Sequence, residues 1–177
     1  MSDYLKRVSE SLLFRKADGR DIAEISALLK QAVERMLAEG KHQWDENYPN
    51  EVHVRSDIGK GVGYVLEEEG KVVGYAAVVF TGEPAYDNIK GQWLSDDKYV
   101  VVHRLAVSQS VKGKGIGRAF MNAVEDFART RGVRSFKIDT NFDNTAMLGL
   151  LDRLGFTYCG EINYEKGSRM AFEKIIY

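Results

Sequence analysis

A chain of 177 residues with a formal charge of −1 has the length for one domain, residues 1–177, and for a sizeable core. With 44% apolar and 29% charged residues it carries no net field that would draw it to nucleic acid or to a membrane surface. A single cysteine, Cys159, excludes an internal disulfide and fits a reducing compartment. MSDYLKRVSE lacks a signal-peptide apolar core, and no apolar run approaches the roughly 20 residues that span a bilayer. The expected setting is cytoplasmic, with neither a nucleic-acid nor a membrane partner.

SLLFRKA, residues 11–17, reads as a first strand. Asp21, with Glu24 three residues on, makes a capping-box-like start for a helix. Ile22, Ile25, Leu28, Leu29, Ala32, Val33, Met36 and Leu37 then recur at helical spacing, and Gly40 ends it. NEVHVRSDIGKG predicts a short second helix. Residues 63–80 predict a hairpin with Glu69-Gly70 at its turn. Residues 98–107, KYVVVHRLAV, predict a strand buried on both faces. Ile116, Phe120, Val124 and Phe127 place a helix over 114–131, closed by Gly132. A strand over 134–140, a helix over 143–154 capped by Gly155, and two closing strands complete the chain.

The predicted order is therefore β-α-α-β-β-β-α-β-α-β-β. It implies an α/β (α+β) fold with a mixed, mostly antiparallel sheet of about seven strands and helices on both faces. Two long segments, 40–50 and 81–97, lack periodicity yet carry Trp44, Tyr48, Tyr86 and Trp93. Long loops in compact domains are usually functional or disordered. These aromatics either pin the loops to the body or wall a substrate cleft. Asp45, Glu46, Glu83 and Asp87 on the same loops favour a cationic substrate.

VSQSVKGKGIGRAF, residues 107–120, joins the 98–107 strand to the next helix. The first N–H groups of a helix lack internal partners, and the macrodipole adds roughly half a positive charge there. Gly113, Gly115 and Gly117 let an anion reach the main chain without meeting a Cβ. Lys112, Lys114 and Arg118 add charge, and Ile116 lies among them. The corner suits a pyrophosphate. No GxxxxGK[ST] run exists, so a P-loop is excluded. A dinucleotide fingerprint fits Gly113, Gly115 and, further on, Asp139, but Arg118 stands at its third glycine and five residues precede its first.

With DNTAMLGLLDRLGF added, the chain resembles the GNAT superfamily of N-acetyltransferases, most strongly over 98–160. Ser110-Val111-Lys112-Gly113-Lys114-Gly115 matches the [Q/R]-x-x-G-x-[G/A] signature except at Ser110. Asn144 precedes Gly155-Phe156 at the family's usual distance. The resemblance implies acetyl-CoA as co-substrate and direct attack of a primary amine, on a small molecule or a protein, within a ternary complex. It implies that Leu105, Ala106 and Val107 line the pantetheine arm. It implies that residues Lys112 to Arg118 hold the pyrophosphate, and that Asn144 lies near the acetyl end. A non-catalytic acyl-CoA-binding module is the alternative, because the tyrosine that many members use as general acid is replaced by Leu151.

His103, on the strand's predicted Leu105 and Val107 face, is the preferred base, since an imidazole titrates at about 6.5. Asp139, closing the next strand, is the second candidate. It could equally bind a cationic substrate or cap a turn. No His/Cys spacing suggests a metal. Cys159 reads as a small core residue. The acceptor and any homodimer stay open at this level.

Overall fold

The computed structural model describes residues 4–111 and 113–177. Its strands are β1 (Leu5–Arg7), β2 (Leu12–Lys16), β3 (Gly63–Glu68), β4 (Lys71–Val79), β5 (Lys90–Gly91), β6 (Tyr99–Val107), β7 (Ser135–Thr140), β8 (Thr157–Tyr164) and β9 (Gly167–Ile175). Four α-helices accompany them: α1 (Ile22–Ala38), α2 (Glu51–Gly59), α3 (Ile116–Thr130) and α4 (Thr145–Arg153). The strands follow the order β1-β2-β3-β4-β6-β7-β9-β8-β5. The β6–β7 pairing is parallel, and the other registered pairings are antiparallel. Among the described residues nine strands thus stand where about seven were expected. The two extra are β1 and β5, of three and two residues, too short for a periodic pattern to reveal.

Two compact units are distinguished, Met1–Val78 with His103–Val124, and Val79–Val102 with Glu125–Tyr177. In the first, α1 buries Ile25, Leu28, Leu29, Ala32, Val33 and Met36, six of the eight positions its helical spacing predicts, while Ile22 is half-buried and Leu37 is exposed. They share a core cluster with Val65, Tyr75 and Ala106. Elsewhere in this unit Phe14 stacks on Tyr64 at 5.3 Å and meets Phe120 of α3 edge-on at 5.5 Å. Gly74 admits that ring, since a Cβ there would lie 3.2 Å from Phe120 Cδ2. The β3–β4 turn places Glu69 and Gly70 at φ 49° and 81°, the pair of left-handed residues a tight hairpin requires.

The start of α1 differs from expectation. The reciprocal cap forms one turn upstream, between Asp18 and Asp21, around a short 3₁₀ turn at Gly19–Asp21. Asp21 makes no side-chain cap bond to α1. Its carboxylate instead accepts both Nη groups of Arg15 at 2.8 Å. Glu24 accepts the Val72 N–H at 3.0 Å, tying helix to strand.

In the second unit β7, β9 and β8 form an antiparallel ladder with β5 at its edge. The 81–97 segment is ordered by a 3₁₀ turn at Pro84–Asn88 and by the Lys90↔Glu161 and Gly91↔Gly160 pairing. Backbones cross closely there. A Cβ on Gly91 would stand 2.1 Å from the Cys159 carbonyl oxygen, and one on Gly160 2.3 Å from that of Lys90. Both glycines also have φ near 150°. Gly160→Ala should therefore lower unfolding free energy by about 1–3 kcal/mol in urea titration. Gly149→Ala, inside α4 and facing only the flexible end of Arg153, should be neutral or raise it by roughly 0.5 kcal/mol.

Candidate active site

The glycine-rich corner lies between a short 3₁₀ turn, Gln109–Val111, and α3. Gly113 and Gly115 take φ 84° and 72°, which a side chain would resist, and among the described residues no atom beyond the adjoining ones stands within 4 Å of either Cβ direction. Both are exposed, as are Lys114 and Arg118, whereas Ile116 is buried. Ile116 can therefore offer a ligand its main chain and not its side chain. Gly117 and Arg118 precede the first helical bond among the described residues, from the Ala119 N–H to the Gly115 carbonyl at 2.9 Å. Open space, main-chain donors and two cations thus meet at the start of a 15-residue helix. Lys112 lies outside the described residues. Ser110, at the position where the family signature has a longer polar side chain, is paired with Ser108, Oγ to Oγ at 2.9 Å.

Strand β6 has two distinct halves. Val100, Val101 and Val102 are buried in succession, as expected for a strand covered on both faces. Beyond them His103, Arg104 and Leu105 are all half-buried, Ala106 is buried and Val107 half-buried. The parallel ladder to β7 is registered from Tyr99↔Ser135 to Val101↔Lys137, while β6 runs on to Val107. Arg104 breaks the alternation with φ 59°. A left-handed, non-glycine residue inside a strand costs on the order of 1–3 kcal/mol and needs neighbours to hold it. The period-2 face expected for His103, Leu105 and Val107 is therefore interrupted at its first step.

The neighbours are present. Arg104 donates from Nε to Asp57 Oδ2 at 3.0 Å and from Nη2 to Oδ1 at 2.6 Å. Its Nη1 donates to the Tyr48 hydroxyl at 3.0 Å. Asp57, on α2 and 5% exposed, also accepts the Tyr75 hydroxyl of β4. Burial opposes the Arg104 charge, but Tyr48 and Asp57 outweigh it and hold the guanidinium above its ordinary range. Burial, then Asp57, pushes the Tyr75 phenol up. Trp44 belongs to the core cluster of this unit, and Tyr48 packs against that cluster while meeting His53 edge-on at 4.7 Å. Of the two aromatics expected on the 40–50 loop, Trp44 pins the loop and Tyr48 joins a polar network.

Sequence reasoning passed over Arg104, Asp57 and Tyr75. The available signal was Arg104 itself, a lone cation in the apolar run VVVHRLAV, which demands a partner if buried.

In the second unit Asp139 accepts the hydroxyls of Tyr86 and Tyr164, both at 2.8 Å on Oδ2. Burial and the facing carboxylate raise both phenols. Tyr86 is 2% exposed, and its carbonyl accepts the Trp93 indole N–H at 2.9 Å. Lys137, 4% exposed, sets its ammonium 4.4 Å from the Trp93 ring and 4.3 Å from that of Tyr99. It lies 3.7 Å from Glu173, whose carboxyl burial pushes up. A cleft of about 330 Å³ opens here between Tyr86, Trp93, Tyr99, Lys137, Asp96 and Asp97. Asn144 is the N-cap of α4, its Oδ1 accepting the Met147 N–H at 3.2 Å. Leu151 is fully buried. Cys159 is buried, and burial pushes its thiol up.

Residues 29–156 match the family model described as "Acetyltransferase (GNAT) family". A GNAT-family acetyltransferase structure from Streptococcus agalactiae superposes with a TM-score of 0.85 at 33% identity, covering 93% of this chain and 95% of that one. The structure of yncA, a putative acetyltransferase from Salmonella typhimurium solved with its cofactor acetyl-CoA, shares the fold at a TM-score of 0.66 and 20% identity, with 95% of each chain covered. The L-methionine sulfoximine/L-methionine sulfone acetyltransferase of Salmonella typhimurium is 32% identical over 100 residues, covering 55% of this chain and 52% of that protein. The chain spans about half the length of the first curated relatives it matches.

Burial, and next the Arg104 charge, depress the His53 imidazole below its ordinary value. Its Nδ1 also accepts the Asn50 N–H at 3.1 Å, a bond that protonation at that nitrogen removes. The folded state therefore holds the neutral form. Its contribution is complete above the unfolded value of about 6.5 and is lost as pH falls from there to the folded value. Melting temperature should fall over that window, and His53→Gln should flatten the slope in a pH series of thermal melts.

Proposed function

We propose that this chain, which belongs to the acetyltransferase (GNAT) family, moves an acetyl group from acetyl-CoA to a primary amine by direct attack. The observation that carries this reading is the corner before α3. Two exposed glycines in left-handed conformation leave open space beside the helix's first N–H groups, with Lys114 and Arg118 beside them. Those groups serve to hold the pyrophosphate. The main chain of residues 103–107 serves to pair with the pantetheine arm, with Leu105, Ala106 and Val107 as its wall. An N–H of that segment polarises the thioester carbonyl.

The amine nitrogen, deprotonated, attacks the carbonyl carbon, and the C–S bond breaks. His103 takes the amine's proton, directly or through water, and the proton returns to the thiolate sulfur as CoA leaves. Leu151 cannot take part in that return, being buried and apolar. Much of the rate comes from holding the two reactants together, an effect worth up to roughly 7–11 kcal/mol. Asp139 is already engaged with two phenols, which makes it the weaker candidate for a base. A relative that acetylates an amino-acid derivative supports a small acceptor.

The non-catalytic alternative draws on Leu151 alone. One set of measurements separates the readings. Acetyl-CoA at 100 times its dissociation constant should stabilise the fold by about 2.7 kcal/mol. A screen of amines, polyamines, amino acids and peptides should then reveal free thiol release. Stabilisation without turnover by any acceptor favours the binding module. Stabilisation by NAD and not by acetyl-CoA overturns both. Gly115→Glu, which fills the open space with a carboxylate, should abolish the acetyl-CoA shift while leaving the unliganded melting temperature within a few degrees.

A further inference from the structure

We propose that Arg104 and Asp57 are positioning residues, whose bidentate pair holds β6 in its left-handed kink and thereby aims the main-chain groups of residues 103–107. The role assigned to those groups rests on the acetyltransferase reading above. The existence of the clamp does not.

Three observations converge. First, Arg104 sits at φ 59° within a strand, a conformation that an L-residue leaves unless something holds it. Second, both ends of its guanidinium fork are fixed by one carboxylate on a different element, α2, at 3.0 and 2.6 Å. That carboxylate is itself steadied by the Tyr75 hydroxyl from β4. The planar fork matches a carboxylate in one orientation, so the pair fixes direction as well as distance. Third, the kink falls where the strand changes character. Three consecutive buried valines end at Val102, and the half-buried His103, Arg104 and Leu105 follow, with the kink at the middle one. A relaxed, extended Arg104 would rotate the peptide planes on either side and re-aim every donor beyond it. Arg104 also holds Tyr48 through Nη1, so the position of the 40–50 loop is read from the same guanidinium.

A merely structural ion pair makes a different set of demands. If the clamp exists to hold the kink, glycine at 104 should substitute for it, because glycine takes φ 59° without help. If the guanidinium itself serves a reactant, glycine should be no better than alanine.

The test compares Asp57→Asn, Arg104→Ala, and the double variant Asp57→Asn/Arg104→Gly, which also avoids an orphaned buried carboxylate. Tyr75→Phe removes one hydrogen bond from Asp57 and leaves the ion pair, and supplies a graded arm should the stronger variants fold poorly. Amide hydrogen exchange over residues 103–107 is read by mass spectrometry, alongside kcat and KM for acetyl-CoA. Exchange should quicken in Asp57→Asn and Arg104→Ala and return towards the wild-type rate in the double variant. Turnover should fall roughly 10–100-fold in the first two, chiefly in kcat. It should recover roughly tenfold in the double variant. Unchanged exchange in Asp57→Asn, or a double variant as fast-exchanging as Arg104→Ala, overturns the clamp. A wild-type protein that neither binds nor turns over acetyl-CoA overturns the acetyltransferase reading instead, and the exchange comparison still decides the clamp.

Discussion

The guanidinium of Arg104 and the carboxylate of Asp57 meet where water is largely absent, and much of the first unit is organised by that contact. A charged pair of this kind gains little over an apolar pair of the same volume, yet losing one partner costs about 3–5 kcal/mol. Such a contact therefore tolerates little adjustment around it. It fixes α2 relative to β6, engages Tyr75 on β4, and reaches Tyr48 on the 40–50 loop. The kinked strand is the element that the glycine-rich corner directly follows.

The second unit handles buried polarity in another way. Asp139 accepts hydrogen bonds from two phenolic hydroxyls. Lys137 and Glu173 stand farther apart than a close ion pair, and the ammonium is covered by Trp93 and Tyr99. The effect is to fasten the 81–97 segment to the sheet by hydrogen bonds and ring faces rather than by periodic packing. A long segment with no helical or strand pattern is in this way as ordered as its neighbours.

Much of the fold was legible because periodicity carries it. Most apolar positions of α1 are buried where the spacing places them, Leu37 at its last turn being exposed, and Glu69-Gly70 turns the hairpin it predicts. The place of the corner was legible too, as a glycine-rich bend between a strand and an amphipathic helix. What escaped had no local signature. Strand β5 has two residues, and only its contact with β8 makes it a strand. The helix cap moved upstream because Arg15, distant from any helix pattern, claimed Asp21. The kink at Arg104 reverses the alternation on which the facing of His103 was argued. Its cause lies 47 residues away in Asp57, and pairings across such separations leave no mark on a single sequence.

The crossing of Gly91 and Gly160 constrains how the protein can be remodelled. Each glycine makes room for the backbone beside the other, so neither position can gain a side chain independently. The two behave as one heritable character, spread over segments some seventy residues apart. A loop transplanted from a relative would carry only half of it. Grafts across the 81–97 segment will therefore succeed only when the facing stretch of β8 is exchanged along with them, and directed evolution confined to the loop explores a landscape already narrowed by its neighbour.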